Sequence, residues 1–346
     1  MATVEDVKEA IDSKETARNT AQIVRALAVA LDSIERDQMH RRFYPELDTR
    51  TFDWPSHVDP HDGSRTLSLE RDEIVSDELV SYTQIKVAGV VIGSTHITLL
   101  PANTGPPYTG VEFDSTVTNP GNARRAVEII GLFGYRSVEE QVGTLAANLA
   151  AGAAATASVS WTTARFGVGD VLRIDNERLI IKNRTMVDST QNLGGTGLTD
   201  KASNVTVPVA NGTGFATGEI ILIDSERMLI VDVAGNNLTV RRAWDGSVLA
   251  THAASTDIFT LTGVELARGQ FGTTDATHNT NSAIYRQVLP PLIDSLHIAE
   301  AITVIQQENA AYGRVIGSGD AQRDAAGTGL EDLRERAYKA HGRKVF

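Results

Sequence analysis

From about Glu15 to Met39 the apolar residues Val24, Leu27, Leu31 and Ile34 recur at spacings of three and four. That period predicts one helix with a single apolar stripe, which Pro45 stops from continuing. Ahead of it, Thr3 followed by Glu5 and Asp6 predicts a short capped helix. Beyond Pro45 the period falls to two. Thr66-Leu67-Ser68-Leu69 and His96-Ile97-Thr98-Leu99 alternate as half-buried strands do. Strands are predicted at 49–54, 66–70, 83–92, 95–100 and 111–116. The run 126–134 (AVEIIGLFG) reads as one more buried strand.

Residues 145–158 (LAANLAAGAAATAS) are a low-complexity, Ala-rich run, read as helix then linker and as a boundary. Residues 159–286 then change character. Thr, Val, Ile, Gly and Asn dominate, and turn signals recur closely at Gly194-Gly195, Asn211-Gly212, Gly235-Asn236 and Asp245-Gly246. That spacing predicts an all-β region.

Two internal repeats run through it. Residues 166–181 (FGVGDVLRIDNERLII) match 215–230 (FATGEIILIDSERMLI), 49 positions later (Asp175 to Asp224). Each copy is a strand, an Asp-x-Glu-Arg turn and a second strand. Arg242…Thr251-His252 likewise matches Arg268…Thr277-His278, 26 positions later (His252 to His278). Duplicated hairpins of this kind pack into a small barrel or sandwich, since neither copy alone buries enough surface.

Helix returns after 287. Pro290-Pro291 suit a first turn. Leu292, Leu296, Ala299 and Ile302 line one face up to Tyr312, and Gly313 sits where a C′ glycine would. A Gly-rich linker, 316–329, leads to a last helix at about 329–341. Asp332→Arg336 and Glu335→Lys339 are spaced to pair on it. About a dozen residues are marginal as an isolated helix, so something must hold it. The fold class is therefore α+β: a helical body with short strands, plus an inserted all-β unit built from repeated hairpins. The pieces are 1–147, 148–286 and 287–346, with the two ends joined as one domain and the β unit looped out.

Composition narrows the function. The chain of 346 residues has no Cys, which excludes disulfides and thiolate metal sites and suits assembly in a reducing cytoplasm. No apolar run is long enough to span a membrane. Net charge is −12, concentrated in residues 1–147, which carry 14 Lys and Arg against 23 Asp and Glu. Such a body does not grip DNA, because phosphate neutralisation needs the opposite sign.

Candidate chemistry is sparse. His57-Val-Asp59-Pro-His61-Asp62 has residue types that ligate a divalent ion, but nothing nearby completes the set, and a polar loop is the simpler reading. The paired turns Asp175-x-Glu177-Arg178 and Asp224-x-Glu226-Arg227 read as acid/base pairs or as a repeated structural turn; duplication favours the turn. His252 and His278 could ligate metal or hydrogen-bond across a hairpin, and the hydrogen bond is favoured. Gly317-Ser-Gly319 lacks the strand and the Gly-Lys-Ser/Thr of a phosphate loop. No nucleophile elbow or zincin helix is present. The expectation is no enzyme and no cofactor.

Residues 36–54 (RDQMHRRFYPELDTRTFDW) resemble the head-to-tail adaptor, or connector, proteins of long-tailed bacteriophages. The shared features are a helix ending in an Arg/Phe/Tyr/Pro turn and a Thr-Arg-x-Phe-Asp strand. In this chain they are Arg41, Arg42, Phe43, Tyr44 and Pro45, then Arg50, Phe52 and Asp53. Downstream, 99–108 (LLPANTGPPY) is similar to the family's Pro-Asn-x-x-Pro-Pro loop, and 129–135 (IIGLFGY) to its Gly-x-Phe/Trp-Gly-Tyr strand. The Pro290-Pro291 helix with Ala299-Glu300-Ala301 is similar to the helix that follows. The resemblance covers about 1–145 and 287–346; compact family members lack the β segment between.

The resemblance implies a structural virion protein of the phage neck, assembled in the host cytoplasm. It implies a ring of copies, commonly twelve, between the portal and a tail-side neck protein, with a channel through which DNA passes without sequence-specific binding. It also implies a C-terminal arm that docks on the portal, here Leu330, Leu333, Arg336, Tyr338, Lys339, Arg343, Lys344 and Phe346. The competing reading is a decoration or receptor-binding protein whose β domain holds carbohydrate. Such a site wants exposed aromatics, and 159–286 has few.

Overall fold

A computed structural model of the chain describes residues 2–11, 20–69, 77–152, 155–161, 166–309 and 327–343. Helix α1 (Val4–Ala10) starts at Thr3, whose hydroxyl accepts the Asp6 N–H while the Asp6 carboxylate accepts the Thr3 N–H, a reciprocal cap. Helix α2 (Thr20–Ser33) runs straight into a π-helical turn (Ile34–Met39), ended by His40 in the left-handed region at φ 54°. Helices α3 (Pro291–Asn309) and α4 (Gly327–His341) come from the other end of the chain. The predicted C-terminus of α3, at Tyr312 and Gly313, lies outside the described residues.

The two ends pack on each other. Ile23, Ala26, Leu27 and Ala30 of α2 share one core with Val4 and Val7 of α1 and Ala301 and Ile305 of α3. The buried stripe is rotated from the predicted one, for Val24 is 42% exposed. The helices meet along the Ala26 and Ala30 side, where a small side chain allows close approach. His297 of α3 is fully buried and hydrogen-bonds the Leu27 carbonyl oxygen at 2.8 Å. Burial holds its pKa down at about 4.

Seven strands form two antiparallel sheets around one further core. They are β1 (Glu46–Phe52), β2 (Arg65–Ser68), β3 (Leu79–Val87), β4 (Val90–Val91), β5 (Ile97–Leu100), β6 (Gly110–Phe113) and β7 (Val127–Phe133). The orders are β1-β7-β3-β4 and β2-β6-β5. Trp54, Ile85, Phe113 and Phe133 are among the side chains buried where both sheets contribute. These strands lie close to the segments predicted from alternation.

Ten strands make the rest. They are β8 (Glu139–Leu145), β9 (Ala155–Trp161), β10 (Val171–Ile174), β11 (Glu177–Asn192), β12 (Thr206–Pro208), β13 (Ile220–Ile223), β14 (Glu226–Ala234), β15 (Asn237–Arg241), β16 (Asp257–Gln270) and β17 (Ala283–Gln287). The expected helix is absent from the described part of the Ala-rich run: residues 146–152 are turn and bend, and 155–158 open strand β9. Ala157 and Val159 are buried at strand spacing, and β9 pairs with both β8 and β16. Closure of the sheet overrides the helix propensity of alanine.

The pairings close twice. An outer ring runs β8-β9-β16-β11-β10-β17 and back to β8. An inner ring takes the far halves of β11 and β16, with β13, β14, β15 and β12; Gly194 N–H to the Pro208 carbonyl at 2.8 Å brings β12 back to the end of β11. The inner ring lies within the hairpin of the outer one, so the 49- and 26-residue repeats are two parts of a single duplication.

The match extends to the ladder. Ile181↔Leu266 and Arg184↔Val264 in the outer ring correspond to Ile230↔Val240 and Val233↔Leu238 in the inner, with a bulge at the same place in each. The two cores correspond residue by residue, as in Phe166 with Phe215 and Ile174 with Ile223.

The inner ring closes its β14–β15 hairpin through Gly235-Asn236, where the outer ring instead receives the whole inner barrel. A chain in which residues 186–262 are replaced by Gly-Asn should therefore still fold. The expected result is a single cooperative unfolding transition in a circular-dichroism melt, with the β signal of the outer barrel kept.

Candidate functional site

The motif residues gather where the two chain ends meet. Phe43 and Tyr44 are each 2% exposed and Pro45 is buried. Phe43 meets Tyr135 edge-on at 5.6 Å, and Tyr44 stacks on Phe271 of the outer barrel at 5.9 Å. Arg41 lies over the Tyr135 ring at 4.7 Å, pairs with the buried Glu78 at 3.1 Å and donates to the His341 carbonyl of α4. Arg42 pairs with Glu46, and Arg50 with Asp77 while covering Phe133 at 4.2 Å. Phe52 packs at the edge of the sheet core, and exposed Asp53 accepts the Arg125 N–H. The turn is thus a junction linking α2, β1, β7, α4 and the outer barrel, and its aromatic rings are buried there.

Glu35, in the π-helical turn, accepts the Phe43 N–H at 2.7 Å. Burial raises its pKa to about 7, against the pull of that bond and of Arg42. Tyr44 is pushed well above the ordinary phenol value by burial, then by the charges of Asp170, Asp294 and Glu35.

Helix α4 rests on this junction. Leu330 and Leu333 are half-buried and Ala337 fully buried against the core around Ile34, Met39 and Phe43. Arg334 makes a two-toothed contact with Glu300 of α3 at 2.6 and 2.9 Å. The Arg343 N–H bonds the Met39 carbonyl, and His341 meets the Tyr135 hydroxyl at 3.2 Å. Arg336, Tyr338 and Lys339 point outward, Tyr338 being 42% exposed. Of the two expected ion pairs, Glu335–Lys339 closes at 2.5 Å and Asp332–Arg336 does not close. The docking set is thus divided between an inward and an outward side; Lys344 and Phe346 lie outside the described residues.

The repeats build a second kind of centre, twice. Glu177, with a fully buried side chain, accepts Nε and Nη2 of Arg268 at 2.7 Å each, the N–H groups of Gly269 and Ala276, and Nε2 of His278 at 2.8 Å. Nδ1 of the same histidine meets Asp175 at 2.7 Å. In the inner barrel Glu226 holds Arg242, Ala243, Ala250 and His252 in the same way, and His252 meets Asp224 at 2.7 Å. Burial works against each glutamate, yet these donors hold both carboxyls down at about 2. All the donors are spent inside the fold, so the arrangement is a strand clamp.

The sequence presented the Asp-x-Glu turn and the Arg…His segment as separate repeats. Their union is the part that sequence reasoning missed. The signal was available, since both motifs occur twice in a region of one architecture.

Among the described residues no group of three or more His, Asp or Glu comes together as a metal would need. His57, His61 and Asp62 are exposed, and Asp59 and Asp62 accept backbone N–H groups of their own loop. No helix among the described residues is long and apolar enough to cross a membrane. The chain matches no protein-family model, curated protein or solved structure at a significant level.

Two outcomes follow. Replacing Glu226 by Gln leaves the buried Arg242 guanidinium facing backbone carbonyls alone and should cost roughly 3 kcal/mol or more in urea unfolding; Glu177→Gln should cost less, because Asp275 still pairs with Arg268 at 2.7 Å. Both carboxyls fall below the ordinary 4.5, so their stabilisation is whole above pH 4.5 and drains away as pH falls toward 2; each variant should lose that part of the acid transition. Glu35 has the opposite sign. Its raised pKa makes the native state bind the proton more tightly, so stability declines as pH climbs from 4.5 to about 7. Glu35→Gln keeps an acceptor for Phe43 and should melt higher than the native chain at about pH 8, with little difference near pH 4.5.

Proposed function

We propose that this chain is a ring-forming structural subunit of the phage neck, a head-to-tail adaptor that binds the portal on one side and a tail-side neck protein on the other. The observation that carries the reading is the junction itself. The Arg-Arg-Phe-Tyr-Pro turn sits where the N- and C-terminal segments pack together, and α4 is fastened to it. In this reading the two chain ends are the adaptor body and the paired barrels are an insertion that compact members lack; the expected bounds of 148 and 286 move to the start of β8 at Glu139 and the end of β17 at Gln287, because β8 pairs with β9 and β17. The acidic excess of residues 1–147 suits a channel wall along which DNA slides, since like charge denies the phosphates a grip.

The outward side of α4 is the portal-facing surface on this reading. Replacing Arg336, Tyr338 and Lys339 together by alanine should weaken portal binding at least tenfold and leave the thermal melt unchanged, because these side chains are exposed. The assay is co-sedimentation with purified portal, followed by electron microscopy of the mixture for a closed ring at the portal. A native chain that stays monomeric beside portal and leaves it bare would refute the adaptor reading. Binding to a cell-surface glycan would favour the receptor-binding alternative.

A further inference from the structure

The two barrels turn the same face toward the helical body but meet different seats. On the outer barrel the face is Val168, Val171, Ile180 and Phe271, and its seat is apolar. Val168 joins the core of α1, α2 and α3, while Val171, Ile180 and Phe271 join the core around Tyr44. The Phe271 carbonyl also accepts the Leu47 N–H at 2.9 Å. The equivalent inner positions are Thr217, Ile220, Leu229 and Asp245, so the face gains a hydroxyl and a carboxylate where the outer copy has Val and Phe. Opposite them α1 offers Glu5, Lys8 and Glu9, around a gap of about 70 Å³; Val4 and Val7 of that helix are turned into the body core.

Lys8 pairs with Asp245 at 3.1 Å across this seam, beside a gap also lined by Ile220, Leu229 and Trp244. Asp245 also takes Arg227 of its own barrel, and Glu5 reaches Arg184 of the outer ladder at 3.7 Å. A single partly exposed pair such as Lys8–Asp245 holds weakly. The covalent link is a ribbon of two strands. Its ladder slips between Thr185 and Val187 and again between Asp188 and Gln191, where Thr190 has a φ of 59°. Gly263 faces the first slip so closely that a Cβ there would lie 2.2 Å from the Thr185 hydroxyl. Bulges bend a ribbon locally, and the first lies between the barrels; the second lies on the inner barrel, where Phe259 and Ile258 also pair with β13.

We propose that the inner barrel is a latched arm, which turns as a unit about Thr185–Val187 and Leu261–Gly263 and is held against α1 by the Lys8–Asp245 ion pair. The outer barrel, on its apolar seat, stays fixed. This inference does not depend on the adaptor reading.

The native chain has no Cys, so spin labels can be placed at will. One pair, Thr95→Cys with Asp200→Cys, spans the body and the inner barrel. A second, Thr95→Cys with Asn279→Cys, spans the body and the outer barrel; all three positions are exposed. Double electron–electron resonance should give narrow distances for both pairs at low salt. Adding Lys8→Ala should at least double the width for the first pair and leave the second unchanged. Asp245→Asn repeats the test from the other side of the pair, and a thermal melt of each variant confirms folding. A first pair that is broad at low salt, one unmoved by both substitutions, or two pairs that broaden together would overturn the proposal.

Discussion

A carboxylate taken out of water must find compensating charge and hydrogen bonds or the fold that buries it fails. Glu177 and Glu226 meet that demand with donors from strand ends and loops that come together only when each barrel has closed. The clamp therefore ties topology to energy. A barrel with one strand out of place leaves the glutamate facing an incomplete set, and cost rises steeply rather than by degrees. The cores around the clamps are mostly aliphatic side chains, which fill space without demanding one register, with Phe166 and Phe215 at matching places.

The nested order makes the two clamps unequal in chain terms. Glu226 finds Arg242 16 residues away, whereas Glu177 finds Arg268 91 residues away. Closing the longer loop through unfolded chain costs roughly 1.5 kcal/mol more by the logarithmic loop law. Once the inner barrel has drawn the far halves of β11 and β16 together, that difference is largely removed, because the outer hairpin continues the same two strands. The inner copy is thus placed where its own folding assists the outer one. Duplication inside a hairpin also leaves the outer ladder uninterrupted, since the insertion point is the turn that the inner copy still displays at Gly235-Asn236.

Much of this was legible in the chain before any coordinates. Alternation at Thr66–Leu69 and Ile97–Leu99 marked real strands, the proline pair marked the start of α3, and both repeats stood out by their offsets. Three things were not legible. The buried stripe of α2 includes Ala26 and Ala30, and alanine carries little hydropathy signal of its own, so Val24 looked like core. The Ala-rich run 145–158 had helix composition, but its last residues, 155–158, are held as strand β9, which pairs with β8 and β16. The convergence of Glu177 on His278 crosses a whole inserted barrel, and no local window spans it. Each miss has the same origin: the deciding contact is distant in sequence, while propensity and period are local quantities.

The same distinction bears on how the body is held. Arg41, Phe43, Tyr44 and Pro45 form a short run that looks like a surface motif, with a guanidinium group and two aromatic rings side by side. In the fold they point in different directions, to Glu78, Tyr135, Phe271 and Gly134. One turn of chain thereby sets the mutual placement of helix, sheet and barrel, and α4 closes over it through the His341 carbonyl and Ala337. A residue in such a turn is constrained from several sides at once, so its sequence can persist while the exposed face of α4 is free to follow whatever it meets. The buried turn and the exposed face of α4 are therefore different residues: the turn fixes where the helix is attached and leaves its outer side chains unconstrained.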